Sequence, residues 1–263
     1  MRIRQEKPFD FVYNSITEMK GKHGDMLMDF GILRLAKGQK EMDNEDKERA
    51  YLLVKGEVVF EWQGNIVRAT RKSCFDENPW CLHVPAGIEV SIKGMSEDSE
   101  LTVHKTDNER AFEAKFYMPD DCRSEERGKG TMKETSTRTV RTIFDYGNAD
   151  YSNLVLGEVI DHPGRWSSYP PHHHPQPEIY YYKFNPENGF GYAELGEEVL
   201  KVRENDTVKI GEGMTHPQAT APGYAMYYLW VIRHLDGNPY IVPTFLEEHL
   251  WVTKPDAVIW PDK

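Results

Sequence analysis

Basic residues are in short supply. The 263-residue chain carries 32 Lys and Arg against 43 Asp and Glu, a formal charge of −11. That balance argues against nucleic acid or an anionic membrane surface as a partner, because both are met by basic patches. Cysteine is scarce too: Cys74, Cys81 and Cys122 are odd in number and lack CxxC spacing, which argues against a disulfide framework. No apolar run is long enough to span a membrane, and the opening MRIRQEKPFDFVY has no apolar core of signal-peptide length. The expectation is a reduced, cytoplasmic enzyme. Helical periodicity is nearly absent as well, and FLEEHLWV, from Phe245 to Val252, is the best short candidate.

What the chain does have is apolar and aromatic residues, 39% and 12%, enough for real cores. They fall in short runs such as MLMDFGILRLA, AYLLVKGEVVFEWQG and CLHVPAGIEVSIKG, separated by Gly and charged turns. That pattern predicts an all-β sandwich or barrel. Met1 to about Gly24 reads as an arm of little periodicity. A weak internal repeat follows: Glu48 precedes AYLLV and a later turn reads VPAG, while Glu178 precedes IYYYKF and a later turn reads IGEG. Two copies of one barrel are expected, over residues 1–125 and 126–263. The charged, Gly- and Ser/Thr-rich stretch from Met118 reads as the linker between them.

The chemistry concentrates in RWSSYPPHHHPQPEIYYY, Arg165 to Tyr182, and in GEGMTHP, Gly211 to Pro217. On an extended strand His172 and His174 project to one face and His173 to the other. Glu178 follows at the same parity and opens a strand of aromatic and branched residues. His216 comes after a Gly-x-Gly turn, where an antiparallel neighbour would return it to the same spot. Three imidazoles and a carboxylate converging this way make a transition-metal site with positions open for water or substrate. Tyr180 and Tyr182 share the face of Glu178 and are the candidates to exchange a proton with a substrate oxygen, whereas Lys183 faces outward. Gln218 lies two residues past His216 and is a candidate for the same pocket; Arg165 and Arg141 are candidates to bind a substrate carboxylate. Arg127, Lys129 and Arg138 in the linker region are further candidates to reach a neighbouring active site. Past His216, Tyr228 and Trp230 fall on one face of a long aromatic strand.

HxHxxxE, an aromatic strand and GxGxxH together resemble the paired motifs of the cupin superfamily. The resemblance implies a small β-barrel holding a metal through His172, His174, Glu178 and His216. The first copy has no HxH before Glu48, and its turn leads to Glu89, so a metal-free first barrel is expected. SSYPPHHH, EIYYYKF, GFGYAEL, GMTHP, YYLWV and EHLWV resemble, more narrowly, the bicupin uronate isomerases, with the match strongest from Gly128 to Val252. That family includes the 5-deoxy-glucuronate isomerases of inositol breakdown and the 4-deoxy-5-hexulose-uronate isomerases of pectin breakdown. In the former type a longer acidic insertion usually separates HxH from Glu; here only PQP does, so a different pocket mouth is implied.

The resemblance implies an aldose–ketose isomerisation of a deoxy-uronate, 5-deoxy-glucuronate to 5-dehydro-2-deoxy-gluconate. It also implies one divalent metal, zinc before manganese or iron. Two rivals use the same ligands: a cupin dioxygenase, whose pocket would be more apolar, and a non-catalytic sugar-binding module. Exposed edge strands and aromatic faces make a homo-oligomer plausible.

Overall fold

Long strands that pair far apart in sequence dominate the computed structural model, which describes residues 1–262. In the first half, the Glu48–Trp62 strand is the spine. Its start pairs with Cys81–Val84 and Ser99–Thr106, and its end with Asn65–Arg71 and Val90–Gly94. The register slips between Leu53 and Lys55. Gly56 follows at φ 96°, where a Cβ would stand 2.7 Å from the Asp98 carbonyl oxygen, so the bend between the two pairings needs glycine.

The second half is built on a seven-stranded antiparallel sheet in which Glu178–Asn185 lies between Thr207–Ile210 and Ala225–Arg233, followed by Leu154–Asp161 and Arg138–Phe144. A four-stranded sheet of Trp166–Ser167, Gln218–Thr220, Phe190–Leu195 and Glu198–Arg203 completes it. Even-numbered residues of the Glu178 strand, Tyr180, Tyr182 and Phe184, pack inward with Val208, Ile210 and Tyr228. The odd-numbered Ile179 and Tyr181 pack outward, against Ala50, Leu52 and Phe30 of the first half.

Three expectations need correction. The first residues do not form a free arm: Arg2–Ile3 pairs with Thr207–Val208 and extends the second half's sheet. Part of the presumed linker is a strand, Arg123–Arg127, paired with Arg138–Thr142. All of its side chains are exposed, so it shows no apolar alternation. The repeat is also off by one residue in orientation. Glu48 shares the parity of Ala50 and Leu52, and reaches across the seam to Ser152 Oγ and the Asn153 amide. The residue facing the first half's interior at that level is Arg49, which is buried and paired with Asp43 at 2.9 Å. A one-residue slip exchanges the faces of a strand, which separates Glu48 from the role of Glu178.

Candidate metal and substrate site

The HxH segment, the Glu178 strand and the GEGMTHP turn meet at one end of the second half. Gly213 makes that meeting possible: at φ 72° its N–H donates to the carbonyl of His174 at 3.0 Å, so the turn closes directly onto the HxH segment. His174, Glu178 and His216 each bring one ligand atom within 4.8 Å of the others, and all three are buried. His174 Nε2 and His216 Nε2 lie 3.2 and 3.3 Å from Glu178 Oε2. His172 stands alongside, its ring centre 4.7 Å from that of His216, although it lies outside that closest set of three.

The second nitrogen of each imidazole decides what the first can do. His172 Nδ1 faces the carbonyl of Pro170 at 3.1 Å, His174 Nδ1 that of Gln176 at 2.9 Å, and His216 Nδ1 that of Met214 at 2.9 Å. A carbonyl only accepts, so each Nδ1 carries a proton, and in a neutral ring that tautomer leaves Nε2 as the nitrogen with the lone pair that a metal takes. Burial holds His172 and His216 down to about 4, so both are neutral near pH 7. Neutral imidazoles fixed in one tautomer by their backbone partners, around one carboxylate, fit a divalent transition metal.

The site opens into a cavity of about 370 Å³. Tyr180 and Tyr228 line it, together with Ser168, Trp230, Arg127 and Arg138. Arg138 donates to the carbonyl and hydroxyl of Ser136 at 2.7 and 2.9 Å and makes no ion pair among the described residues. Burial weighs against its charge and holds it below the usual arginine value. The roof comes from the last part of the chain. Thr244–Phe245 pairs with His172–His173, and the rings of Phe245 and Tyr240 lie 5.3 and 4.9 Å from those of His172 and His174.

Several expected residues do not line this cavity. Tyr182 lies deeper: its hydroxyl donates to Gln218 Oε1 at 2.8 Å, and Gln218 Nε2 donates to the carbonyl of His216 at 2.8 Å. Both are fully buried beneath the site and act on it through the backbone of His216. Arg141 points the wrong way. Arg138, Val140 and Thr142 take the inner face of their strand, which turns Arg141 to the seam and the carbonyls of Cys74, Phe75 and Glu77. Arg165 is half-buried and lies outside the cavity wall. Lys183 leaves the inner face as expected, yet it meets the first half rather than solvent, pairing with Glu100 at 2.7 Å. The roof segment carried no signal in the sequence beyond its aromatics, because a bridge of two residues has no period.

A curled, almost entirely antiparallel fold with two imidazoles and a carboxylate clustered at one end, and a third imidazole beside them, defines a cupin-class protein. A mutant of Bacillus subtilis oxalate decarboxylase superposes with a TM-score of 0.65 over 95% of this chain and 80% of that one; at 12% identity the likeness is one of fold alone. The chain belongs to the KduI/IolB family, whose model matches residues 4–252. An IolB-like protein from Salmonella typhimurium LT2 has a TM-score of 0.79 and 25% identity, covering 86% of this chain and 90% of that chain. The 5-deoxy-glucuronate isomerase of Geobacillus kaustophilus is 30% identical over 225 residues, 77% of this chain and 78% of the relative. The Bacillus subtilis enzyme of the same name is 26% identical over 236 residues, 82% and 85%.

Proposed function

We propose that this protein is a metal-dependent aldose–ketose isomerase that converts 5-deoxy-glucuronate to 5-dehydro-2-deoxy-gluconate in inositol catabolism. The observation that carries the reading is the relationship to 5-deoxy-glucuronate isomerases over more than three quarters of the chain. The site supports it by placing a carboxylate-and-imidazole cluster opposite two cationic side chains in one cavity. His172, His174, Glu178 and His216 would hold the metal, zinc before manganese or iron, which would polarise the sugar's carbonyl and the neighbouring hydroxyl. Arg138, with no carboxylate of its own, offers the planar donors that a uronate's carboxylate takes in pairs, while Arg127 at the rim, its Nε and Nη2 held by Glu125 at 2.9 and 2.8 Å, adds positive charge. Tyr180 stands on the wall within reach of a substrate oxygen and remains a neutral donor, since burial raises its hydroxyl well above the usual range. Each half would form one cupin barrel, with the metal confined to the second. The expected partner is a small sugar acid in the cytoplasm.

The test is metal analysis of the purified protein, paired with NMR of 5-deoxy-glucuronate turnover in deuterated water. Stoichiometric metal, ketose formation and deuterium entering beside the carbonyl are the expected results. Metal without conversion of this sugar acid would overturn the assignment of substrate.

A further inference from the structure

A file of hydroxyls leads from the cavity wall into the protein. Tyr228 lines the cavity, and its Oη donates to Ser167 Oγ at 2.8 Å. Ser167 Oγ donates in turn to Asp161 Oδ2, again at 2.8 Å. On the cavity side, Ser168 Oγ stands 3.4 Å from Tyr228 Oη and 3.2 Å from Tyr180 Oη. Asp161 is fully buried, forms no ion pair among the described residues, and its Oδ1 has no hydrogen-bond partner among them.

A carboxyl in that setting is costly to keep charged and finds little reason to be there for stability. Burial pushes it up to about 8, against the Ser167 hydrogen bond and the charge of Arg138. Both of its protonation states are therefore accessible near neutral pH. Tyr228 is the opposite case. Burial raises its hydroxyl far above the usual range, so it transfers a proton only by giving one up as it takes another.

We propose that Tyr228 is a catalytic residue that moves a substrate hydroxyl proton, with Ser167 and Asp161 as the positioning residues through which that proton is stored and returned. The proposal rests on the isomerase reading, because an aldose–ketose interconversion must relocate one hydroxyl proton to the neighbouring oxygen. The observed hydrogen-bond directions give the first half of the step. The substrate O–H bond breaks and its proton goes to Tyr228 Oη; the phenol's own proton passes to Ser167 Oγ, and the serine's to Asp161 Oδ2. One proton has moved in all: the substrate hydroxyl has become an alkoxide, the Asp161 carboxylate has become a carboxylic acid, and both hydroxyls between them stay neutral. Reversal of the same file delivers the proton to the adjacent substrate oxygen.

The charged and titratable groups that face Asp161 are Arg138 on one neighbouring strand, the phenol of Tyr228 on the other, and the phenol of Tyr182 on the strand beyond that; Arg127 is the register partner of Arg138. Arginine does not titrate in this range and burial keeps both phenols protonated, so a titration near pH 8 belongs to Asp161.

The experiment compares metal-loaded wild type with Asp161→Asn, Ser167→Ala and Tyr228→Phe on 5-deoxy-glucuronate across pH. Wild-type kcat is expected to rise with pH through a midpoint near 8, since the file begins with Asp161 as acceptor. Each variant should lose about 100-fold in kcat, with KM and bound metal unchanged, and that rise should vanish in Asp161→Asn and Ser167→Ala. A second readout needs no turnover: wild-type-minus-variant infrared spectra should show a carboxylic-acid band that disappears with a midpoint near pH 8. Should Asp161→Asn fail to fold, Ser167→Ala carries the same kinetic test. Retention of the wild-type rate and midpoint in the serine or aspartate variant would overturn the relay while the isomerase reading stands. No conversion by the wild type, with the infrared band titrating as described, would overturn the isomerase reading and the relay with it.

Discussion

Gln218 never touches the cavity, yet it joins Tyr182 below to the His216 carbonyl above, and so fixes the peptide that carries a metal-binding imidazole. Replacing it with Leu should leave the Tyr182 hydroxyl and that carbonyl unpaired in the core. Metal affinity should fall by about 10–100-fold, read by competition with a chromogenic chelator, because outer partners of ligands have effects of that size. Arg138 makes a second test at this scale. Its conversion to Gln should raise KM by about 10–100-fold with a smaller effect on kcat, as the loss of a charge-assisted pair worth about 1.5–3 kcal/mol implies. At the level of residues the sequence was most legible where parity sufficed: His172 and His174 share a face, and Glu178, Tyr180 and Tyr182 follow on theirs. It was least legible where depth or sidedness decides. Tyr182 has the right parity at the wrong depth, and Arg141 lies on the wrong side of the strand that presents Arg138.

Strands, rather than single side chains, set which residues can meet. The Leu154–Asp161 strand passes beside Ala225–Arg233 with Gly157 opposite Trp230, and the indole fills the space that a side chain would take. A Cβ at Gly157 would stand 2.2 Å from Trp230 Cζ2 and 2.7 Å from the Arg141 carbonyl oxygen. Gly157→Ala should therefore cost about 1–3 kcal/mol, seen as a lowered denaturation midpoint, and should disturb the cavity because Trp230 is part of its wall. The elements themselves were readable from β-branched and aromatic runs, as in EIYYYKF and AMYYLWVIR. The Arg123–Arg127 strand was not, since charged and polar residues occupy an exposed edge held by backbone pairing and by surface contacts such as Arg123 with Asp145 and Thr139 with Glu126. The first half's interior was misread for a related reason. Glu48 and Arg49 are both charged and both buried, and only the strand's partners tell which of them faces in.

Across the whole molecule the two sets of sheets share one core. Phe30, Ala50, Leu52 and Val54 of the first pack with Leu154, Leu156, Ile179, Tyr181 and Leu229 of the second. Three buried polar crossings tie the same seam. Arg71 binds Glu158 through both nitrogens, at 2.7 and 2.8 Å; Glu100 receives Lys183 and the Tyr181 hydroxyl; Glu48 reaches Ser152 and Asn153. Neither set of sheets can bury its face alone, and each would be left with carboxylates or cations stripped of partners. Unfolding should accordingly be one cooperative transition, with near-ultraviolet circular dichroism and tryptophan fluorescence following the same denaturation curve. Arg71→Met should lower stability by up to about 3–5 kcal/mol, because it takes the two-pronged partner from Glu158 in the seam and leaves it the Tyr227 hydroxyl at 2.7 Å and the Arg141 guanidinium at 3.6 Å. Pairing that change with Glu158→Gln should recover only part of the loss, since the under-compensated carboxylate is then gone but Arg141 loses its ion pair. Two resolved transitions in the wild type, or a harmless Arg71→Met, would show that the seam is a contact between independent units. A single transition that shifts as a whole in Arg71→Met would make the first half a structural part of the second half's site, although it contributes no ligand to it.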